Sequence, residues 1–381
     1  MPDMAANMLE STAGFPMQGM MMRYNLFMPR LYNLCMSLGF EAGKIMPSRA
    51  FCSDESQGYP IIMIAKHFGT FPFNHGMVGG IVATDRHEPH ADHGKDLLII
   101  QASHVGYDPR SNIFGTYRRL QTTSQECSPN CGKVQDVMNW YQDEYRFAQQ
   151  NILLHKHENQ PCVIVDNQLL REDRKQGLLL RLDELIATEP NGQRIPLKTL
   201  STARVFSASS AIINKTDEAA FSGSTPRVIG NKLSAEMFYF RHNIPQMEEG
   251  IHHLEHNLIR YMPQIITSKS PSLTAAQINT QIEFDRTFRT IVKEHSYQGR
   301  KVLFIAGLHI DISPQPGQLF PLTKFIPWAA YNQDRDGSSS TMEQAELMQA
   351  LEQQSTENPD QIDMEAAIRS MTEAEEIRVE L

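Results

Sequence analysis

Two uncharged stretches constrain this chain more than anything else in it. Leu97-Leu98-Ile99-Ile100 follows Asp96, and Val302-Leu303-Phe304-Ile305-Ala306-Gly307 follows Lys301. A strand with one face in water alternates apolar and polar residues, whereas a strand buried on both faces reads as an unbroken apolar run. The two runs therefore predict interior strands, and the fold class is α/β with a mostly parallel central sheet flanked by helices. Leu308-His309-Ile310-Asp311-Ile312 continues the second run. His104 is expected just past the end of the first, where open α/β sheets place their ligands.

The remaining elements follow from periodicity. Leu26, Phe27, Leu31, Leu34 and Cys35 recur at helical spacing and predict a helix over 23–38, with Gly39 near its end. Residues 1–22, rich in Met, Gly and Ala, read as a loose tail. Ile61-Ile62-Met63-Ile64-Ala65 predicts a short buried strand, and Val134, Val137, Met138, Tyr141 and Tyr145 predict a helix over 132–150. Cys162–Asp166, Ala203–Phe206 and Arg227–Gly230 predict strands. The stretch 167–195 predicts a helix through Leu178-Leu179-Leu180, then a turn at Pro190-Asn191-Gly192. Helices are expected over 245–265 and 272–297, and the prolines after Pro314 predict an extended segment ending near Tyr331. Beyond residue 334 a polar linker leads into an acidic, Gln-rich stretch with two short helices. It reads as a tail without a core of its own, docked on something or mobile. The division is 1–22, tail; 23–333, one α/β domain; 334–381, acidic linker and helical tail.

The formal net charge of −9 argues against broad electrostatic binding to nucleic acid or anionic lipid. No apolar run approaches the ~20 residues that cross a bilayer, and no basic segment precedes an apolar core as in a secretory signal. Five unevenly spaced cysteines do not suggest a disulfide framework in so long a chain, so a reducing, cytoplasmic setting is expected. The acidic end, 373–380, leaves a secreted effector as the alternative.

Metal-ligating residues crowd the stretch 47–132. Cys52, His104 and Cys131 offer thiolate and imidazole, the donors zinc prefers, and their separations suit successive strand ends better than a zinc finger. Three protein ligands would leave an open position, where the metal lowers the pKa of a water. Cys131 also stands where the dipole of the following helix favours thiolate. Cys127, in a C-x3-C pair with Cys131, leaves a closed structural site open as an alternative. His87, Glu88, His90, Asp92 and His93 form a second donor-rich loop. His252 and His256 lie one helical turn apart but lack the H-E-x-x-H order.

Cys52-Ser53-Asp54 resembles the C-x-D element of β-type carbonic anhydrases, and Cys131-Gly132 resembles their C-G. The fuller likeness is carried by Arg49-Ala50-Phe51-Cys52-Ser53-Asp54-Glu55, Phe71-Pro72-Phe73-Asn74-His75-Gly76, Ala102-Ser103-His104-Val105-Gly106-Tyr107-Asp108 and Phe320-Pro321-Leu322-Thr323-Lys324-Phe325-Ile326-Pro327-Trp328. Over roughly residues 24 to 333 the chain is similar to the limiting-CO2-inducible B/C-like family, or θ carbonic anhydrases. That resemblance implies a β-carbonic-anhydrase-like fold, a homodimer, and Zn2+ on Cys52, His104 and Cys131. The implied reaction is reversible hydration of CO2 to bicarbonate, with Asp54 accepting a hydrogen bond from the zinc-bound water. The β enzymes pair this Asp with an Arg two residues on, where this chain has Ser56, so the arginine must come from elsewhere. Arg86 is the first candidate and Arg49 the second. Tyr59, Phe68, Phe71 and Phe73 are candidates for an apolar wall against CO2. His67, His75, His87, His90 and His93 are candidates for carrying the proton away, His75 foremost. Two other readings stand beside this one. The first is a catalytically silent zinc-stabilised scaffold with the acidic tail as its interaction arm. The second is a thiol hydrolase with Cys52 as nucleophile and His104 as base.

Overall fold

The computed structural model describes residues 15–83, 96–119, 127–171, 173–222, 225–244, 251–315, 317–318 and 321–374. The chain divides into two compact units, Met1–Lys133 with Ser272–Leu381, and Val134–Pro271.

The first unit is built on an eight-stranded sheet. Its strands are β1 (Met22–Arg23), β2 (Ile45–Ala50), β3 (Phe73–Asn74), β4 (Asp96–Asp108), β5 (Ile113–Phe114), β6 (Val302–Ile312), β7 (Leu322–Gln333) and β8 (Ser339–Glu343). They run in the order β1-β7-β6-β4-β2-β3, with β8 added to β7 and β5 to β4. Neighbours among β6, β4, β2 and β3 are parallel, while β1, β6 and β8 meet β7, and β5 meets β4, antiparallel. The sheet is thus mixed rather than mostly parallel. The link 313–321 is shorter than the dozen or so residues a parallel crossover needs, so β7 folds straight back along β6.

The two apolar runs pair with each other, from Val302↔Leu97 to Ile312↔Tyr107, and both strands are buried along their whole length. Helices α1 (Tyr24–Ser37), α2 (Gly58–Phe68), α3 (Pro271–Lys293) and α4 (Gln344–Glu352) pack on them. Leu98, Ile100, Leu303 and Ile305 share one core with Phe27 and Leu31 of α1, Ile64 of α2 and Leu347 of α4. Leu97, Ile99, Val302 and Phe304 share another with Ile291 and Phe284 of α3. Each such Leu, Ile or Phe contributes about 1.5–3 kcal/mol by leaving water. Side chains alternate along a strand, so His104, His309 and Asp311 fall on the face of Leu98 and Leu303. The strand of His104 also runs on to Asp108, which puts the imidazole inside β4 rather than past its end.

Ile61–Ala65 is not a strand but the middle of α2. Pro60, Met63, Ile64, His67 and Phe68 are its buried face, at i, i+3, i+4, i+7 and i+8, while Ile62 is 48% exposed. Gly69 closes the helix at φ +76, which a residue with a Cβ rarely adopts. A five-residue apolar run reads the same in a buried strand and in a helix, and its flanking Pro and Gly decide.

The described start of the chain and the stretch 339–362 pack into this unit. Phe15 stacks on Trp328 with ring centroids 4.9 Å apart. Beyond residue 334, β8 extends the sheet, and α4 buries Leu347 and Leu351 completely. The following segment crosses α1 and α2, where Tyr32 donates to Asp360 at 2.6 Å and Asn358 donates to the carbonyl of His67 at 3.1 Å.

The second unit holds an antiparallel sheet in the order Lys198–Thr199, Ala203–Ser207, Gln160–Asp166, Ile152–His157, Arg227–Val228. Leu178–Leu180, expected as helix, is strand: Gly177–Leu180 pairs antiparallel with Phe238–Arg241. The expected helix over 245–265 is Ile251–Leu258 followed, after one 3-10 turn, by Met262–Thr267, and 245–250 lie outside the described residues. Among the described residues no helix is long and apolar enough to cross a membrane.

Candidate metal centre

Strand β2 runs parallel to β4 with Ala50 opposite Gln101, so the chain leaving β2 carries Cys52 toward His104. Cys131 comes from the other side, immediately before the helix Gly132–Asn151. Its loop is tied to β4, where Gly106 N donates to Asn130 O at 2.9 Å. Position 106 must be glycine, since a Cβ there would stand 2.6 Å from the Thr116 carbonyl oxygen.

The donor atoms of Cys52, His104 and Cys131 all lie within 4.8 Å of one another, and all three residues are buried. The two sulfurs are 3.7 Å apart. Thiolates bound at ~2.3 Å to one tetrahedral ion stand roughly 3.8 Å apart, whereas a disulfide would bring them to ~2.05 Å. Gly79 N donates to Cys52 Sγ at 3.2 Å, a contact that would support negative charge on a metal-bound sulfur. The Gly79 turn can lie this close because Gly80, at φ +80, has no Cβ to strike the Ala102 oxygen at 2.2 Å.

His104 Nδ1 donates to Asp311 Oδ2 at 2.9 Å, and its Nε2 is buried without any partner. Asp311 is itself held on every side. Its Oδ2 accepts from Ser56 Oγ and Gln57 Nε2, each at 2.8 Å, and its Oδ1 accepts from Thr323 at 3.1 Å. Gln57 is fixed in turn by accepting from His309 Nδ1 at 2.6 Å, and His309 stands opposite His104 in the parallel register. A carboxylate behind one imidazole nitrogen sets the tautomer and turns the other nitrogen into a metal donor. Burial opposes charge on His104, but Asp311 and Cys52 outweigh it and push its pKa up to about 10. Hydrogen bonding with Cys131, then burial, pushes the Cys52 thiol up to about 12. The bare donor set therefore holds protons that a metal ion would displace.

The arginine beside Asp54 is Arg119, with its Nη2 3.7 Å from Asp54 Oδ1. Arg119 Nε donates to Glu55 and its Nη1 to Ser128 Oγ. Among the described residues Arg49, half-buried in β2, has no carboxylate at ion-pair distance, and Arg86 lies outside the described residues. Asp54 Oδ1 also accepts from Ser56 N at 3.2 Å, and Asp54 stands outside the mutually close donor set. Cys127 is exposed and likewise outside it.

His75 is buried, with Nδ1 2.6 Å from Ser48 Oγ, and burial lowers its pKa to about 3. Burial lowers that of His67 to about 4. Phe68 is core against Tyr32, Phe71 and Phe73 are exposed, and Tyr59 lines a cavity at the edge of the sheet. His87, His90 and His93 lie outside the described residues. His252 and His256, in the second unit, join no group of metal donors among the described residues.

Sequence reasoning missed Asp311, Gln57 and Arg119. Asp311 left a signal, a carboxylate in an otherwise apolar strand run that must find a buried partner. Arg119 left none, since nothing in its neighbourhood ties it to position 54.

No family model matches the chain, and no curated protein matches it. Among solved structures it is similar to PtLCIB4, a homolog of the limiting CO2-inducible protein LCIB. The identity is 11% and the TM-score 0.48, over 87% of this chain and 96% of that one. It is similar also to the limiting CO2-inducible protein LCIB itself, at 12% identity and a TM-score of 0.45, over 85% of this chain and 94% of that one.

Proposed function

We propose that this chain catalyses the reversible hydration of CO2 to bicarbonate, with zinc held by Cys52, His104 and Cys131. At such low identity the solved neighbours say nothing about chemistry, and the reading rests on the site. One observation carries it: His104 Nε2 is buried and partnerless beside two thiols 3.7 Å apart, with Asp311 fixing the ring from behind. Zinc bound there would supply the Lewis acidity that makes water nucleophilic near neutral pH.

The chain's own residues divide the remaining work. Asp311 orients His104, and the Gly79 amide supports the charge on Cys52. Arg119, 3.7 Å from Asp54, would hold that carboxylate away from the metal donors and so leave room for water. Asp54 then serves as the hydrogen-bond acceptor that orients the reacting water. Burial disfavours the protonated form of His67 and of His75, which makes both poor carriers for the released proton. The thiol-hydrolase reading is disfavoured, since a nucleophilic cysteine needs a lowered pKa and that of Cys52 is raised.

The test is stopped-flow CO2 hydration on protein of known zinc content. The wild type is expected to hydrate CO2 with about one zinc per chain. Asp54→Ala and Arg119→Ala should keep the metal and lose roughly a hundredfold in rate. A fully zinc-loaded wild type without hydration would leave the scaffold reading in its place.

A further inference from the structure

At the edge of the sheet in the first unit a cavity of about 550 Å3 opens beside β1 and β7. Arg23 and Lys324 line it, and they are directly opposite each other in the antiparallel β1·β7 pair, so their side chains share one face. Like charges opposite each other across two strands repel. Such pairs normally have an acid nearby, yet among the described residues none that lines the cavity is acidic. Among the described residues neither cation has a carboxylate within ion-pair distance. Burial and the neighbouring Arg23 also lower the pKa of Lys324, consistent with uncompensated positive charge. The rest of the wall is aromatic and amide-bearing: Tyr24, Tyr59 and Tyr107 supply flat surfaces, and Gln315 and Gln318 supply hydrogen bonds. Thr323 also lines the cavity and donates to Asp311, so the pocket ends one hydrogen bond from the carboxylate that holds His104.

We infer that this cavity is a binding site for a small organic anion, a flat, largely apolar body carrying one anionic group. Arg23 and Lys324 take the anion, and the tyrosine-lined wall takes the body. The site is separate from the metal donors and does not depend on the CO2 hydration reading.

The probe is 1-anilinonaphthalene-8-sulfonate, with uncharged N-phenyl-1-naphthylamine as its counterpart, followed by fluorescence on the full chain. The sulfonate should bind as one site, at least about tenfold tighter than the neutral compound. Arg23→Gln and Lys324→Gln should each weaken it about tenfold and leave the neutral compound unaffected. Added salt should weaken the sulfonate alone on the unaltered chain, a reading that needs no variant. Benzoate and phenyl phosphate compete against the probe to separate a carboxylate from a phosphate ester, and displacement by either supports the site. Equal affinity for the charged and neutral compounds would reduce the cavity to an apolar patch. Unchanged sulfonate binding in the Arg23→Gln/Lys324→Gln double variant would also overturn the assignment. Loss of binding in Cys131→Ser would overturn it differently, by placing the probe on the metal donors.

Discussion

Each unit of this molecule contains a histidine held by a carboxylate, and only one of the two is a candidate centre. In the first unit His104 donates to Asp311 at 2.9 Å. In the second, His242 Nδ1 and Glu255 Oε1 are 2.6 Å apart, and the same oxygen accepts from Tyr141 at 2.5 Å. The difference is what surrounds each ring. His242 stacks on Trp140 at 4.1 Å, and its side chain is 26% exposed, so water can serve it. His104 is wholly buried, with Nε2 left over and two thiols beside it. A buried nitrogen without a partner costs about 1–3 kcal/mol, a cost that a metal ion would remove. A histidine–carboxylate pair is thus ordinary scaffolding, and the unsatisfied second nitrogen facing soft donors is what distinguishes a site.

The comparison breaks first on metal content. Cys52→Ala, His104→Ala and Cys131→Ala are each expected to abolish zinc binding measured by elemental analysis. Cys127→Ala and His242→Ala should bind as the wild type does. Zinc lost with Cys127 instead of Cys131 would reassign the ligand set.

A smaller effect tests the carboxylates. Asp311→Asn should lower zinc affinity by about 10- to 100-fold in competition with a chromophoric chelator. Glu255→Gln should leave that affinity unchanged. Equal effects would mean that Asp311 only supports the fold.

The smallest effect concerns a histidine that has burial but no carboxylate. His75 faces Ser48, and its pKa falls to about 3, whereas Asp311 and Cys52 raise that of His104 against the same burial. An unfolded histidine titrates near ~6.5. Between that pH and about 3 the unfolded chain binds the extra proton, so stability is intact above about 6.5 and falls on acidification. The expected slope is up to about 1.4 kcal/mol per pH unit for this residue, read from denaturant unfolding at several pH values. His75→Gln should flatten it, and an unchanged slope would assign the acid sensitivity to other groups.

What could be read in advance follows physical range. The apolar runs at Leu97 and Val302 announced buried strands because burial on both faces dictates composition residue by residue. Ile61–Ala65 and Leu178–Leu180 were misread because neither run is long enough to show a period, and each took its form from its partners. The stretch beyond 334 reads as lacking a core of its own and as docked or mobile, and α4 docks, with Leu347, Met348 and Leu351 entering the core of the first unit.

The sequence by itself determined the donor chemistry, two thiols and an imidazole that suit zinc, and the motif order that resembles one family. Only the tertiary structure decided that Cys131 rather than Cys127 meets the other two, that Arg119 stands by Asp54, and that Asp311 stands behind His104. The physical reason is register. The parallel pairing of β4 with β6 joins residues some two hundred positions apart, and no local pattern encodes which side chains it sets within hydrogen-bond reach.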